Sequence, residues 1–249
     1  MPRKTLIITD VTAMSGSSVC IAGYDLSSIC IRPVLFKTQI KKEHLFKKNS
    51  LIIYPDAKVN FEFIQKYSQP PHTEDYIFNK ESIEYEGKTT VKEWREVLDC
   101  SAHHTFEELF PSLEGRCVFP GAAGPSLGTL IPNEIPIVHC DDYNPERPRP
   151  RMDITDSAGS SIEWIPINDL AFWSLFMNTV SKAKGNCHKA TEILNKTLIG
   201  KKIYLRLGLT RAFAKPSEPD KKLCWLQVNG IHTFPDLYER NYAEWIRLE

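Results

Sequence analysis

Lys202-Ile203-Tyr204-Leu205-Arg206-Leu207-Gly208-Leu209 and, further on, Leu223-Cys224-Trp225-Leu226-Gln227-Val228-Asn229-Gly230-Ile231 alternate their side-chain character residue by residue. Successive side chains of a strand point to opposite faces, so the stretches 201–209 and 223–233 read as two strands. Ile203, Leu205, Leu207 and Leu209 share one face of the first, and Lys202, Tyr204 and Arg206 share the other. In the second, Cys224, Leu226 and Val228 look inward while Trp225, Gln227 and Asn229 look the other way. One sheet face would then gather cations for phosphates, rings for bases and amides for base edges. The plainer reading of the same alternation is a solvated outer face.

Working outward, the N-terminal third also reads as short strands. Thr5-Leu6-Ile7-Ile8-Thr9, Ser18-Val19-Cys20-Ile21-Ala22-Gly23 and Ile29-Cys30-Ile31-Arg32-Pro33-Val34 are rich in β-branched residues and are separated by Ser/Gly/Asp turns. Leu51-Ile52-Ile53-Tyr54 and Lys58-Val59-Asn60-Phe61-Glu62-Phe63 continue the pattern, which suits a small barrel. The period then changes. Thr90-Val91-Lys92-Glu93 and Thr105-Phe106-Glu107-Glu108 are capping boxes that open helices. Ile135-Pro136-Ile137-Val138-His139 reads as an edge strand, because Pro136 cannot donate to a ladder. A hairpin follows over 149–165, turning at Asp156-Ser157-Ala158-Gly159. Asn168 or Asp169 caps a helix that buries Leu170, Trp173, Met177 and Val180, and a second helix over 188–198 stops at Gly200. The expected fold is mainly β with helical insertions (α+β): two OB-like β-barrels joined by a helical and loop segment. Residues 1–140 would form an N-terminal barrel with a helical segment, and residues 141–249 a C-terminal barrel with two helices.

Bulk properties narrow the partners. The formal net charge is zero, yet residues 1–50 carry 8 basic and 3 acidic side chains (net +5), residues 51–150 carry 9 and 17 (net −8), and residues 151–249 carry 14 and 11 (net +3). Nucleic-acid binding therefore has to rest on local patches rather than on isoelectric point. No apolar run is long enough to span a bilayer, and the short Leu6-Ile7-Ile8 stretch does not make a secretory signal, so a cytoplasmic protein without a membrane partner is expected. The 7 cysteines include no CxxC and several lie in apolar runs, so they read as reduced, buried thiols rather than a disulfide framework.

Other residues carry chemistry. Arg147, Arg149 and Arg151 alternate with Pro148, Pro150 and Met152, so an extended backbone would aim three guanidiniums one way; pairing with Asp141, Asp142 or Glu146 is the alternative. Arg32 interrupts an apolar strand and must find solvent, a ligand or an ion partner. Gly124-Pro125-Ser126-Leu127-Gly128 fits GxSxG but lacks the strand before and helix after that a nucleophile elbow needs. Cys100, His103, His104, His139-Cys140 and Cys187-His188 lack the spacing of a zinc finger or ribbon, so no metal and no cofactor are expected.

These blocks resemble, in their order along the chain, the dual OB-containing domain family of prokaryotes. The likeness is carried by Cys20-Ile21-Ala22-Gly23, by Ile31-Arg32-Pro33-Val34, and by the stretch from Arg151-Met152-Asp153-Ile154-Thr155-Asp156 to Pro166-Ile167-Asn168-Asp169-Leu170. It is sharpest at Tyr204-Leu205-Arg206-Leu207-Gly208-Leu209-Thr210-Arg211 and Cys224-Trp225-Leu226-Gln227-Val228-Asn229-Gly230-Ile231. Cys30 and Val19 depart from the family's aromatic and basic residues at those positions. The resemblance implies two OB-like barrels and binding of nucleic acid or nucleotides, beside prokaryotic antiviral defence or DNA processing.

The expected function is a non-enzymatic nucleic-acid-binding module that prefers single strands. Arg32, Arg149, Arg151, Lys202, Arg206 and Arg211 would meet phosphates, Tyr204 and Trp225 would stack, and Gln227 and Asn229 would bond base edges. Two alternatives stand beside it: an adaptor subunit with a protein partner, motivated by the acidic middle, and a nucleotide sensor using Arg151, Arg206 and Arg211.

Overall fold

The computed structural model describes residues 3–215 and 218–247. The strands expected early in the chain form β1 (Arg3–Ala13), β2 (Ser18–Asp25) and β3 (Cys30–Val34), and a short β4 (Ile40–Lys41) that was not expected follows. A small hairpin, β5 (Phe46–Lys47) with β6 (Ser50–Leu51), leads to β7 (Ala57–Lys66), β8 (Asp75–Phe78) and β9 (Glu84–Lys88). Neighbours run β1-β2-β3-β8-β7, and β7 returns to pair with β1, which closes a five-stranded barrel. β3 and β8 are parallel and the other four pairings antiparallel. Closure bends β1, whose register shifts between Ile8 and Asp10. Gly23 permits that bend, because a Cβ there would sit 2.3 Å from the Ile7 carbonyl oxygen. Leu6, Ile8, Ile21, Ile31, Val59 and Phe61 fill the interior.

Both capping boxes form. Thr90 and Glu93 exchange bonds at the start of α1 (Val91–Cys100), and Thr105 and Glu108 do so at α2 (Phe106–Leu109). The chain continues through β10 (Ala102–His103), β11 (Cys117–Val118), β12 (Leu127–Leu130) and β13 (Ile137–Asp141). Then come β14 (Arg149–Thr155), β15 (Ser161–Pro166), α3 (Leu170–Lys182), α4 (Cys187–Leu198), β16 (Lys202–Leu209), β17 (Phe213–Lys215) and β18 (Glu218–Phe234). β13, β14 and β15 are antiparallel neighbours; β16 and β18 pair antiparallel. Ile167, just past β15, bridges Val228 of β18 in parallel. The relative strand order of the first barrel thus recurs as β13-β14-β15-β18-β16. No ladder joins β16 to β13 among the described residues, so this is a half-barrel. In both units the insertion falls between the third and fourth strands: β4 to β6 in the first, α3 and α4 in the second. A closed barrel beside a half-barrel is compatible with OB-like architecture.

Sheet membership does not follow a boundary at residue 140. β10 and β12 pair into the sheet of β16, while Tyr238, Tyr242 and Ile246 pack into the core of the first barrel. Asp169 ties α3 to β18 within the second unit, and its backbone bridges Thr12 of β1. One carboxylate oxygen accepts from the Ala171 and Phe172 amides at the start of α3, and the other accepts from the Ile231 amide of β18 at 2.9 Å. Burial pushes its pKa up to about 7. The expectation of seven reduced thiols needs correction: Cys140 and Cys187 form a disulfide joining β13 to α4. Among the described residues no helix is long and apolar enough to cross a membrane.

Candidate functional site

The polar face expected on β16 and β18 is closed at Tyr204 and Arg206. The first barrel packs across it. Arg206 is 0% exposed and forms an ion pair with Asp10 of β1, its Nη2 donating to Oδ2 at 2.8 Å and its Nε to both carboxylate oxygens at 3.1 Å. Its Nη1 donates to the Tyr24 hydroxyl at 2.7 Å and to Thr129 Oγ1 at 2.9 Å. Tyr204 is also 0% exposed, packed with Ile7, Trp94 and Leu98. Its hydroxyl donates to Asp99 at 2.5 Å, and Lys202 pairs with the same carboxylate at 2.8 Å. Arg206 and Tyr204 are therefore corrected from ligand contacts to residues of the seam between the units. Alternation states which side chains share a face. It does not state what covers that face, since the covering strands lie nearly 200 residues away in the chain (Asp10 and Arg206 are 196 apart).

Trp225 is half-buried outside this seam. Lys215 Nζ sits 3.4 Å from its ring centroid, and Phe213 lies beside it.

The remaining six expected residues line one cleft of about 1780 Å³ between the units. Arg32 comes from β3, Arg149 and Arg151 from β14, Arg211 from the turn after β16, and Gln227 and Asn229 from β18. At its floor, Asp75 at the head of β8 is fully buried and clamped by two arginines. Arg32 Nε donates to one oxygen at 2.6 Å and Arg211 Nη2 to the other at 2.5 Å. Arg32 is almost wholly buried, and its Nη2 has no hydrogen-bond partner among the described residues. Arg211 stays half-exposed. Burial, reinforced by Arg32 and Arg211, pushes His72 down to about 3, so that ring stays neutral beside the cations.

An amide chain crosses the floor: Asn168 Nδ2 donates to Gln227 Oε1, and Gln227 Nε2 to Asn229 Oδ1, both at 2.7 Å. Gly208 makes room for it, since a Cβ there would lie 2.2 Å from Asn229 Nδ2. On β14, Arg151 donates to Asp141 at 2.6 Å, whereas Arg149 is exposed and forms no ion pair among the described residues.

The cleft also contains residues that the sequence reading passed over. Phe36 and Lys37, in the loop after β3, are both exposed, and the Lys37 ammonium sits 5.1 Å from the Phe36 ring. Tyr67 and Phe213 are exposed rings on the lining. Trp173 and Met177 were expected in the buried face of α3; the structure turns both toward the cleft, with Trp173 half-buried and its Nε1 donating to the Ile167 carbonyl at 2.7 Å. The adjacent Phe36-Lys37 pair in a polar loop was a signal available in the sequence. Among the described residues, the charged side chains on the lining are seven basic (Arg32, Lys37, Lys42, Arg149, Arg151, Arg211, Arg247) and two acidic (Asp75, Glu244). Such a lining can hold anions and stack flat rings.

No protein-family model matches the chain, and no curated protein is similar to it.

Proposed function

We propose that the cleft between the two units is a binding site for single-stranded nucleic acid. The observation that carries this reading is the predominance of basic over acidic side chains, seven to two among the described residues, on the cleft lining of a chain whose formal net charge is zero. Nothing in the overall composition demands that concentration, and clustered cations neutralise a phosphate backbone. Phe36, Tyr67 and Phe213 supply exposed rings beside the cations. Rings stack on bases that are not already paired, which favours a single strand over a duplex. The cleft also exceeds the roughly 300–1,000 Å³ of small-molecule sites, so it suits a run of nucleotides better than one. The OB-like strand order supports the reading by analogy only.

Fluorescence anisotropy with labelled single-stranded DNA and RNA tests it. Three or four phosphate contacts give a slope of log K against log salt of about −2 to −3, and Arg211→Ala makes it shallower by about 0.7. Absence of binding by every oligonucleotide at low salt would reject the proposal.

A further inference from the structure

Away from the cleft, four side chains of zinc-binding type converge where the end of β13 meets the first turn of α4. Cys140 and Cys187, joined to each other, are both buried, at 4% and 7% exposure. Asp142 and His188 are exposed just outside them. Cys187 Sγ, an Asp142 carboxylate oxygen and a His188 ring nitrogen all lie within 4.8 Å of one another, with His188 Nε2 at 3.0 Å from Asp142 Oδ2. Two short sequence pieces supply the set, Cys140-Asp141-Asp142 and Cys187-His188, and the fold alone brings them together.

We propose that reduction of this disulfide converts the junction into a zinc site ligated by Cys140, Asp142, Cys187 and His188. Two sulfurs, one imidazole nitrogen and one carboxylate oxygen are ligands that zinc accepts in tetrahedral geometry. The steps balance. Two equivalents of a small thiol deliver two electrons and two protons to the S–S bond, leaving two cysteine thiols and one small-molecule disulfide. Zn²⁺ then takes the place of the two thiol protons, which pass to solvent, while neutral His188 and ionised Asp142 complete the shell. Zinc–sulfur bonds of about 2.3 Å at a tetrahedral angle set the sulfurs about 3.8 Å apart, so opening the disulfide is a precondition for binding.

Two features keep the ligands apposed once the disulfide opens. Asn195 of α4 holds β13 independently of the cysteines, accepting from the Val138 amide at 2.7 Å and donating to its carbonyl at 3.0 Å. Cys187 is the first residue of α4 after the Asn186 cap, so the helix start fixes its place beside the end of β13. The junction then has two closed states, covalent when oxidised and metal-bridged when reduced. Local spacing hides the site because its halves are 47 residues apart.

The experiment is a zinc titration of the full chain against a chromogenic chelator, before and after reduction with a phosphine that is then removed. Expected are one zinc per reduced chain, none for the oxidised chain, and a thiolate-to-metal charge-transfer band when Co²⁺ replaces zinc. His188→Ala and Asp142→Asn change exposed residues and leave the core intact; each weakens zinc binding by about tenfold or more. The proposal is overturned if the reduced chain binds no zinc at micromolar concentration, if the cobalt band is missing, if the oxidised chain binds equally, or if both variants bind like the parent.

Discussion

Two arginine–aspartate clusters, built from the same residue types on neighbouring strands, meet opposite fates. In the seam, Arg206 and Asp10 are both buried, and the guanidinium spends its donors on Asp10, Tyr24 and Thr129. In the cleft, one carboxylate, Asp75, serves two arginines, leaving Arg32 Nη2 without a partner among the described residues and Arg211 half-exposed. A charge whose donors are all occupied, away from water, has nothing left to offer a ligand. Arg211, half-exposed beside the shared carboxylate, keeps donors that an anion can reach. The contrast separates a structural arginine from a binding one, where a strand pattern makes them look alike.

The largest expected effect lies in the seam. Asp10→Asn leaves the Arg206 charge buried and uncompensated, which costs about 3–5 kcal/mol in denaturant unfolding. Replacing Asp10 and Arg206 together by apolar residues of similar volume restores most of that loss. If the single variant unfolds like the parent, the seam pair is not the buried lock described.

The cleft should respond differently. Phe36→Ala removes an exposed ring, so stability stays near the parent's while oligonucleotide affinity falls by about 1–3 kcal/mol. Equal affinity would remove Phe36 from the site and weaken the contrast between the two clusters.

A smaller effect compares a histidine from each region. Burial pushes His232, in the seam, down to about 4, and His72, buried beside the cleft's Arg32 and Arg211, to about 3. Between those values and the ordinary 6.5, the unfolded chain binds protons that the folded chain does not. Each histidine therefore adds stability above about pH 6.5 that is lost on acidification, with a slope of up to about 1.4 kcal/mol per pH unit. Asp169, raised to about 7, acts in the opposite sense over the same range, so the contribution is read as parent minus variant. His232→Gln and His72→Gln should each flatten the acid limb of the stability curve; unchanged limbs would contradict the assigned burial.

Much of the local structure was legible. Thr90 and Thr105 announced their helices through the glutamates three residues on, because a capping box is contained within one turn. Asp169 announced α3, and the hairpin of β14 and β15 followed from its turn. Six of the ten residues singled out for ligand contact line the cleft, since arginines and amides that interrupt apolar strands must find a polar setting. Arg206 met the same requirement inside the protein, through Asp10.

Periodicity and capping are encoded within a few residues, so the sequence by itself determined the longer strands, the helix starts and which side chains share a face, though Leu51-Ile52-Ile53-Tyr54, expected as a strand, is extended only at Leu51. What covers each face depends on chain segments far apart in sequence. Tertiary structure alone decided that β1 buries Arg206, that β3, β8, β14 and β18 together enclose a basic cleft, and that Cys140 meets Cys187. The physical reason is that a side chain's burial and charge partners are set by packing between distant elements, which no local pattern records.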